Sequence, residues 1–155
     1  MRLIAIVIAA MVVAPAMAQT SGKAEIFSSQ AIRTQLAGLA EKAKQSGSSG
    51  STLGDYTSHA LKLSSRTASG GAEVHAHFDD VIVVTEGSAT LITGGTVVAP
   101  QTGADGETKG TSIQNGSSQK ISVGDIIHIP AGTPHQMLIN SGVLFSAFVV
   151  KVKEP

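Results

Sequence analysis

The chain contains no cysteine. That excludes disulfides, thiolate metal ligands and cysteine nucleophiles, and it leaves nitrogen and oxygen as the metal-binding donors. Tryptophan is absent as well, and the benzenoid rings are limited to Phe27, Tyr56, Phe78, Phe145 and Phe148. So few rings cannot furnish the stacking platforms that single-stranded nucleic acids use. Charge is sparse and balanced, 11 basic residues against 11 acidic ones, with no basic run. Phosphate neutralisation by clustered Lys and Arg is therefore missing, and nucleic acid is not an expected partner.

Long hydrophobic runs are also lacking, with one exception at the start. Residues 3–13 are apolar throughout, Arg2 precedes them, and Ala16-Met17-Ala18 supplies a small-x-small pattern. The run is shorter than the roughly 20 apolar residues of a membrane span. A basic start, a short apolar core and a small-residue cleavage site are the parts of a secretory signal peptide. Residues 1–18 are expected to be removed after Ala18, and the protein to be periplasmic or secreted. Without a cysteine at the cleavage point a lipoprotein anchor is excluded, so no stable membrane anchor is expected.

What is present points to one all-β domain. A length of 155 residues suits a single domain, and 17 scattered glycines suit many short strands joined by tight turns. Within residues 30–44, Ile32, Leu36, Leu39, Ala40 and Ala43 recur at helical spacing behind Ser28 and Ser29, either of which can act as N-cap. Residues 46–52, SGSSGST, have the composition of a flexible linker. The organisation expected is thus a signal peptide (1–18), a helix with a Ser/Gly linker (19–52) and a β-domain (53–153). Strands are expected at residues 58–63, 72–78, 81–85, 88–93, 97–98, 126–129, 136–139 and 143–152, with residues 120–123 leading into the 126–129 strand. The pair 81–85 and 88–93 reads as a hairpin closed at Glu86-Gly87, and residues 99–119 as a long loop with a short strand near Ser112-Ile113.

Ligand-capable residues concentrate in two segments. In residues 71–80, Glu73, His75 and His77 are spaced by two, so an unbroken strand would point all three to one face. Asp79 and Asp80 follow. Two imidazoles on one face can grip a divalent ion at about 2.0–2.1 Å, with a carboxylate supplying charge. The second segment, residues 124–135, reads GDIIHIPAGTPH. A short apolar strand is stopped by Pro130, Gly132 and Pro134, and the stiff turn aims His135. Glu73 and His128 are the candidates for proton transfer. Strict alternation puts Asp79 on the face of His77, whereas the position of Gly87 favours Asp80 as the acidic ligand.

These two segments resemble the two motifs of the cupin superfamily. The second motif runs G-x5-P-x-G-x2-H-x3-N; Gly124, Pro130, Gly132 and His135 fall on it, and Asn140 comes one residue late. The first runs G-x5-H-x-H-x3/4-E-x6-G; His75, His77 and Gly87 match, and Asp80 stands where the family has Glu. Asp80 is one methylene shorter and one residue closer to His77 than the pattern allows, and Gly70 also falls one residue short. The wording is similar to that of small single-domain cupins that keep His75, Asp80 and His135 and vary at His77. The resemblance spans roughly residues 53–152. It implies a double-stranded β-helix, or jelly-roll, barrel behind the N-terminal helix. It also implies one divalent metal ion, Fe, Mn, Zn, Ni or Cu, on His75, His77, Asp80 and His135.

Three function classes follow. One is a small-molecule metalloenzyme of dioxygenase, isomerase, decarboxylase or lyase type. The second is a non-catalytic module of the periplasm that binds a metal or a small ligand. The third is a metal-free barrel with histidines as polar filler. The expected partner is a small molecule, and an edge strand together with a spare amphipathic helix suits a homodimer.

Overall fold

The structure, a computed structural model, describes residues 22–154. The expected signal peptide and its cleavage point lie outside the described residues. Helix α1 (Ser29–Ser46) is followed by β1 (Ser48–Asp55), β2 (His59–Arg66), β3 (Ala72–Val74), β4 (Phe78–Glu86), β5 (Ser88–Thr93) and β6 (Thr96–Val98). Then come β7 (Gln101–Thr102), β8 (Thr108–Gly110), β9 (Ser112–Gln114), β10 (Ser117–Ser122), β11 (Ile126–Ile129), β12 (His135–Leu138) and β13 (Phe145–Lys153). No helix among the described residues is long and apolar enough to cross a membrane.

Helix α1 forms where the periodicity predicts it. Ser28 caps it, its hydroxyl accepting from the Ala31 N–H at 3.2 Å, which satisfies one of the free amides of the first turn. Leu39, Ala40 and Ala43 are buried, while Ile32 and Leu36 remain half-exposed. The helix packs on β1 and β2.

The strands form two antiparallel sheets, in the orders β1-β2-β13-β4-β11 and β10-β5-β12-β3-β8-β7, with β6-β9 as a small additional ladder. Ile82, Val84, Leu91, Ile121, Ile129 and Phe145 lead the core between them. Burying side chains of this size contributes about 2 kcal/mol each, the main stabilising term of a domain this small.

Three local expectations change. The Ser/Gly stretch is not a linker: it is β1, paired antiparallel with β2 from Ser48↔Arg66 to Asp55↔Ala60. Its composition matches a flexible linker, and only an available partner edge makes it a strand. Strands β4 and β5 are not a hairpin either. β4 pairs with β13 and β11, and β5 with β10 and β12, so the chain changes sheet at Gly87. Gly87 has φ +72°, and a Cβ there would lie 2.0 Å from the Leu144 carbonyl oxygen, so only glycine fits the crossing. Finally, residues 99–119 hold the expected short strand near Ser112-Ile113, as β9, but also β7, β8 and the start of β10 in place of the loop expected around it.

Candidate metal centre

Sheet register assembles the centre from both segments. His135 opens β12 and pairs with Glu73 on β3. Asp80 on β4 pairs with Lys151 on β13 and Ile129 on β11. With a period of two, Asp80, Ile82 and Val84 share the buried face of β4. His75 lies just beyond β3, and its carbonyl accepts from the Gly132 N–H at 2.8 Å, so the stiff turn of one segment clasps the other.

The resulting cluster is compact. His75 Nε2 is 3.3 Å from Asp80 Oδ2, His135 Nε2 is 4.0 Å from the same oxygen, and the imidazole centroids are 5.0 Å apart. Glu73, His75 and His135 each offer a donor atom within 4.8 Å of the others. Both rings are held from behind. His135 Nδ1 lies 3.0 Å from the Thr133 carbonyl, and His75 Nδ1 meets a carboxylate oxygen of Glu107. A carbonyl can only accept, so His135 carries its proton on Nδ1 and turns Nε2 inward. Lys151 Nζ bonds Asp80 Oδ1 at 2.7 Å, leaving Oδ2 for the imidazoles.

The titration behaviour follows from these contacts. Burial pushes the His75 pKa down, but the hydrogen bonds its ring donates to Asp80 and Glu107 outweigh it and hold it above the ordinary 6.5. Burial holds His135 below 6.5, against the opposing pull of the Thr133 carbonyl and of the Asp80 and Glu73 charges. Burial alone would raise Asp80, yet the bonds to His75 and Lys151 bring it below the usual 3.8.

Solved structures share this architecture. A double-stranded β-helix protein from Klebsiella pneumoniae is similar at 15% identity and TM-score 0.56, over 84% of this chain and 91% of its own. The cupin domain of Schizosaccharomyces pombe Cnp3 is similar at 8% identity and TM-score 0.53, over 69% of this chain and 65% of its own. The protein has the cupin fold. DMSP lyase DddQ from Ruegeria pomeroyi is similar at 16% identity and TM-score 0.51, over 70% of this chain. The match spans 48% of the lyase, about half its length. No family model matches the chain, and no curated protein matches it.

Within this cupin barrel the sequence candidates separate. His75, Asp80, His135 and Glu73 converge. His77 does not: β3 ends at Val74, and the chain bends through Ala76 and His77 to enter the other sheet at Phe78. That bend breaks the alternation which would have put His77 beside His75, and leaves its side chain exposed. Asp79 points away from the cluster. Its carboxylate accepts from the Ala131 N–H at 2.7 Å and meets His128 Nε2 at 2.9 Å, bracing the turn before His135. The bond to His128, then that to Ala131, hold the Asp79 carboxyl below its usual 3.8. His128 is largely exposed, its side chain outside the cavity, so it is not a proton carrier for the interior.

Glu107 was not a sequence candidate. It lies in the Gly- and Thr-rich stretch before β8, where the Asp105 carboxylate accepts its N–H at 3.2 Å and its own carbonyl accepts from Gly103 at 2.9 Å. No spacing rule ties it to His75; the sheet order alone brings them together. Its Oε1 is buried without a hydrogen-bond partner.

The donor set fits a divalent cation. Two imidazoles with inward Nε2 atoms, each fixed at Nδ1 by an acceptor, join Glu73 and Asp80 as nitrogen and oxygen donors.

Proposed function

We propose that the protein holds one divalent metal ion inside the barrel on His75 and His135 with carboxylate oxygens of Glu73 and Asp80. It would use that ion on a small molecule, as a metalloenzyme of dioxygenase, isomerase or lyase type. The observation that carries this reading is the convergence of both imidazoles on Asp80 Oδ2 beside a cavity of about 100 Å³ that His135, Glu73 and Asp80 also line. A bound divalent ion supplies a Lewis acid or, for Fe, Mn or Cu, a redox centre. The chain's own residues do the rest. Thr133 and Glu107 orient the imidazoles, Lys151 balances Asp80, and Ile82, Met137 and Phe145 supply apolar wall to the cavity. Glu73 borders both the imidazoles and the cavity, so it is the carboxylate placed to exchange a proton with a bound molecule.

The test is elemental analysis of untagged protein, followed by His135→Ala and His75→Ala. Near-stoichiometric metal lost in both variants, with turnover lost alongside it, supports the reading; folded protein that takes up no divalent metal sinks it. The enclosure of the cluster also favours a second reading, a non-catalytic module stabilised by its ion through linkage. A large chelator-sensitive shift in Tm without turnover would select that one. Export is part of the proposal, supported by the apolar run behind Arg2. N-terminal sequencing of periplasmic protein should begin at Gln19, and an intact Met1 would contradict it.

A further inference from the structure

The inner face of β2 is polar where a barrel wall is ordinarily apolar. Leu63 and Ser65 are buried on one face of the strand. Lys62, Ser64 and Arg66 share the other, and all three line a second cavity of about 520 Å³ at the barrel mouth. Four of the chain's 11 basic residues, Lys62, Arg66, Lys109 and Lys151, line this mouth against three carboxylates, Glu73, Asp80 and Glu107. Two of the carboxylates are engaged, Asp80 by Lys151 and His75 and Glu107 by His75, while Glu73 lies beside the imidazoles and across the ladder from Lys109. Among the described residues, ion pairs are made by Lys44, Lys151 and Lys153. None is made by Lys62 or Arg66.

Arg66 also has a built seat. A Cβ on Gly70 would lie 2.8 Å from Arg66 Nη1, so the guanidinium occupies the room a side chain would take. It lines the mouth and the inner cavity alike, with Ser64, Glu73, Asp80 and Val149, and so stands at the neck joining the two. Below the neck the walls turn apolar, with Ile82, Met137, Phe145 and Ala147. Half-buried cations without counter-ions above a small apolar chamber describe a ligand with one anionic end and a short hydrocarbon end.

Resting on the reading that the barrel receives a small molecule, we propose that this molecule is a short-chain organic carboxylate. Arg66 clamps its head group with help from Lys62, and its apolar end enters the inner cavity. The planar fork of Arg66 matches a carboxylate bidentately, which a lysine cannot do.

The experiment is calorimetric titration of butanoate, butanamide and inorganic phosphate into the protein, metal-free and loaded with Zn²⁺. Butanoate should bind at least tenfold more tightly than butanamide, and Arg66→Gln should weaken it at least tenfold, about 1.4 kcal/mol. Arg66→Lys should fall between, and Lys120→Gln, at an exposed lysine outside both cavities, should match the wild type. Equal binding of butanoate and butanamide, butanoate affinity unchanged in Arg66→Gln, or tighter binding of phosphate than butanoate overturns the proposal. If Arg66→Gln does not fold, Lys62→Gln decides: at least threefold weaker butanoate binding supports it and unchanged binding overturns it. Arg66-dependent butanoate binding in protein that takes up no Zn²⁺ refutes the metal reading alone. Zn²⁺ uptake with butanoate binding indifferent to Arg66 refutes this inference alone.

Discussion

Replacing Glu107 tests the centre through a residue that would not itself hold the ion. Its carboxylate meets His75 Nδ1, so it fixes the ring and makes Nε2 a stronger donor. Loss of such a partner ordinarily weakens metal affinity by about 10- to 100-fold, or about 1.4 to 2.7 kcal/mol. The Glu107 side chain is 24% exposed, against 11% for His75, so water screens the contact in part. Glu107→Ala should therefore fall in the lower part of that range, about 10- to 30-fold. Glu107→Gln keeps an acceptor for Nδ1–H but removes the charge, and should lose about 3- to 10-fold. Competition against a chromophoric chelator near neutral pH measures all three proteins, with circular dichroism confirming that the variants fold. The reasoning is refuted if Glu107→Ala binds metal within about threefold of the wild type, or if Glu107→Gln is the weaker of the two variants.

Metal affinity should also depend on pH with a definite sign. His75 holds its proton to a pH above the ordinary 6.5 and His135 loses its own below it. Near pH 6.5 an incoming ion should thus displace about one proton, from His75, and affinity should fall as pH drops through that region. Calorimetry in buffers of different ionisation enthalpy counts the proton, and none released would contradict the assignment. Lys151→Ala leaves Asp80 buried without its 2.7 Å partner and should destabilise metal-free protein by about 2 to 3 kcal/mol near neutral pH. Because the folded pKa of Asp80 is lowered, that stabilisation is present above 3.8 and lost as pH falls through the lower folded value. The two denaturation midpoints should converge in acid, and a constant gap would argue against the pair. Gly87→Ala should prevent folding or cost more than 3 kcal/mol, since its Cβ would overlap the Leu144 carbonyl. Gly94→Ala, at φ +70° with nothing within 4 Å, should cost only about 1–2 kcal/mol, and equal losses would refute the steric account.

Much of the architecture was legible because it is written in local patterns. The helix shows in the spacing of Leu39, Ala40 and Ala43, and the core strands in β-branched runs closed by turn residues. The strand and turn of residues 124–135 could be read because Pro130, Gly132 and Pro134 act on their own backbone. Those features depend on neighbours a few residues away, and a linear chain displays them.

What the chain could not display is which strand lies beside which. The alternation of Glu73, His75 and His77 is a true sequence pattern, but His77 leaves the face because β3 and β4 belong to different sheets. Asp79 and Asp80 are indistinguishable as neighbours, and only the burial of one face of β4 chooses between them. Glu107 and Arg66 carry no local signature; one meets His75 from just before the neighbouring strand β8 and the other reaches the neck because Gly70 leaves it room. Strand propensity and stiff turns are local properties, so the residues alone pointed to an all-β chain and to His75, His77, His135 and an acidic partner near Asp80 as candidate ligands. Tertiary structure decided which carboxylates and cations surround them, because sheet order and register are set by long-range packing that no short window of residues contains.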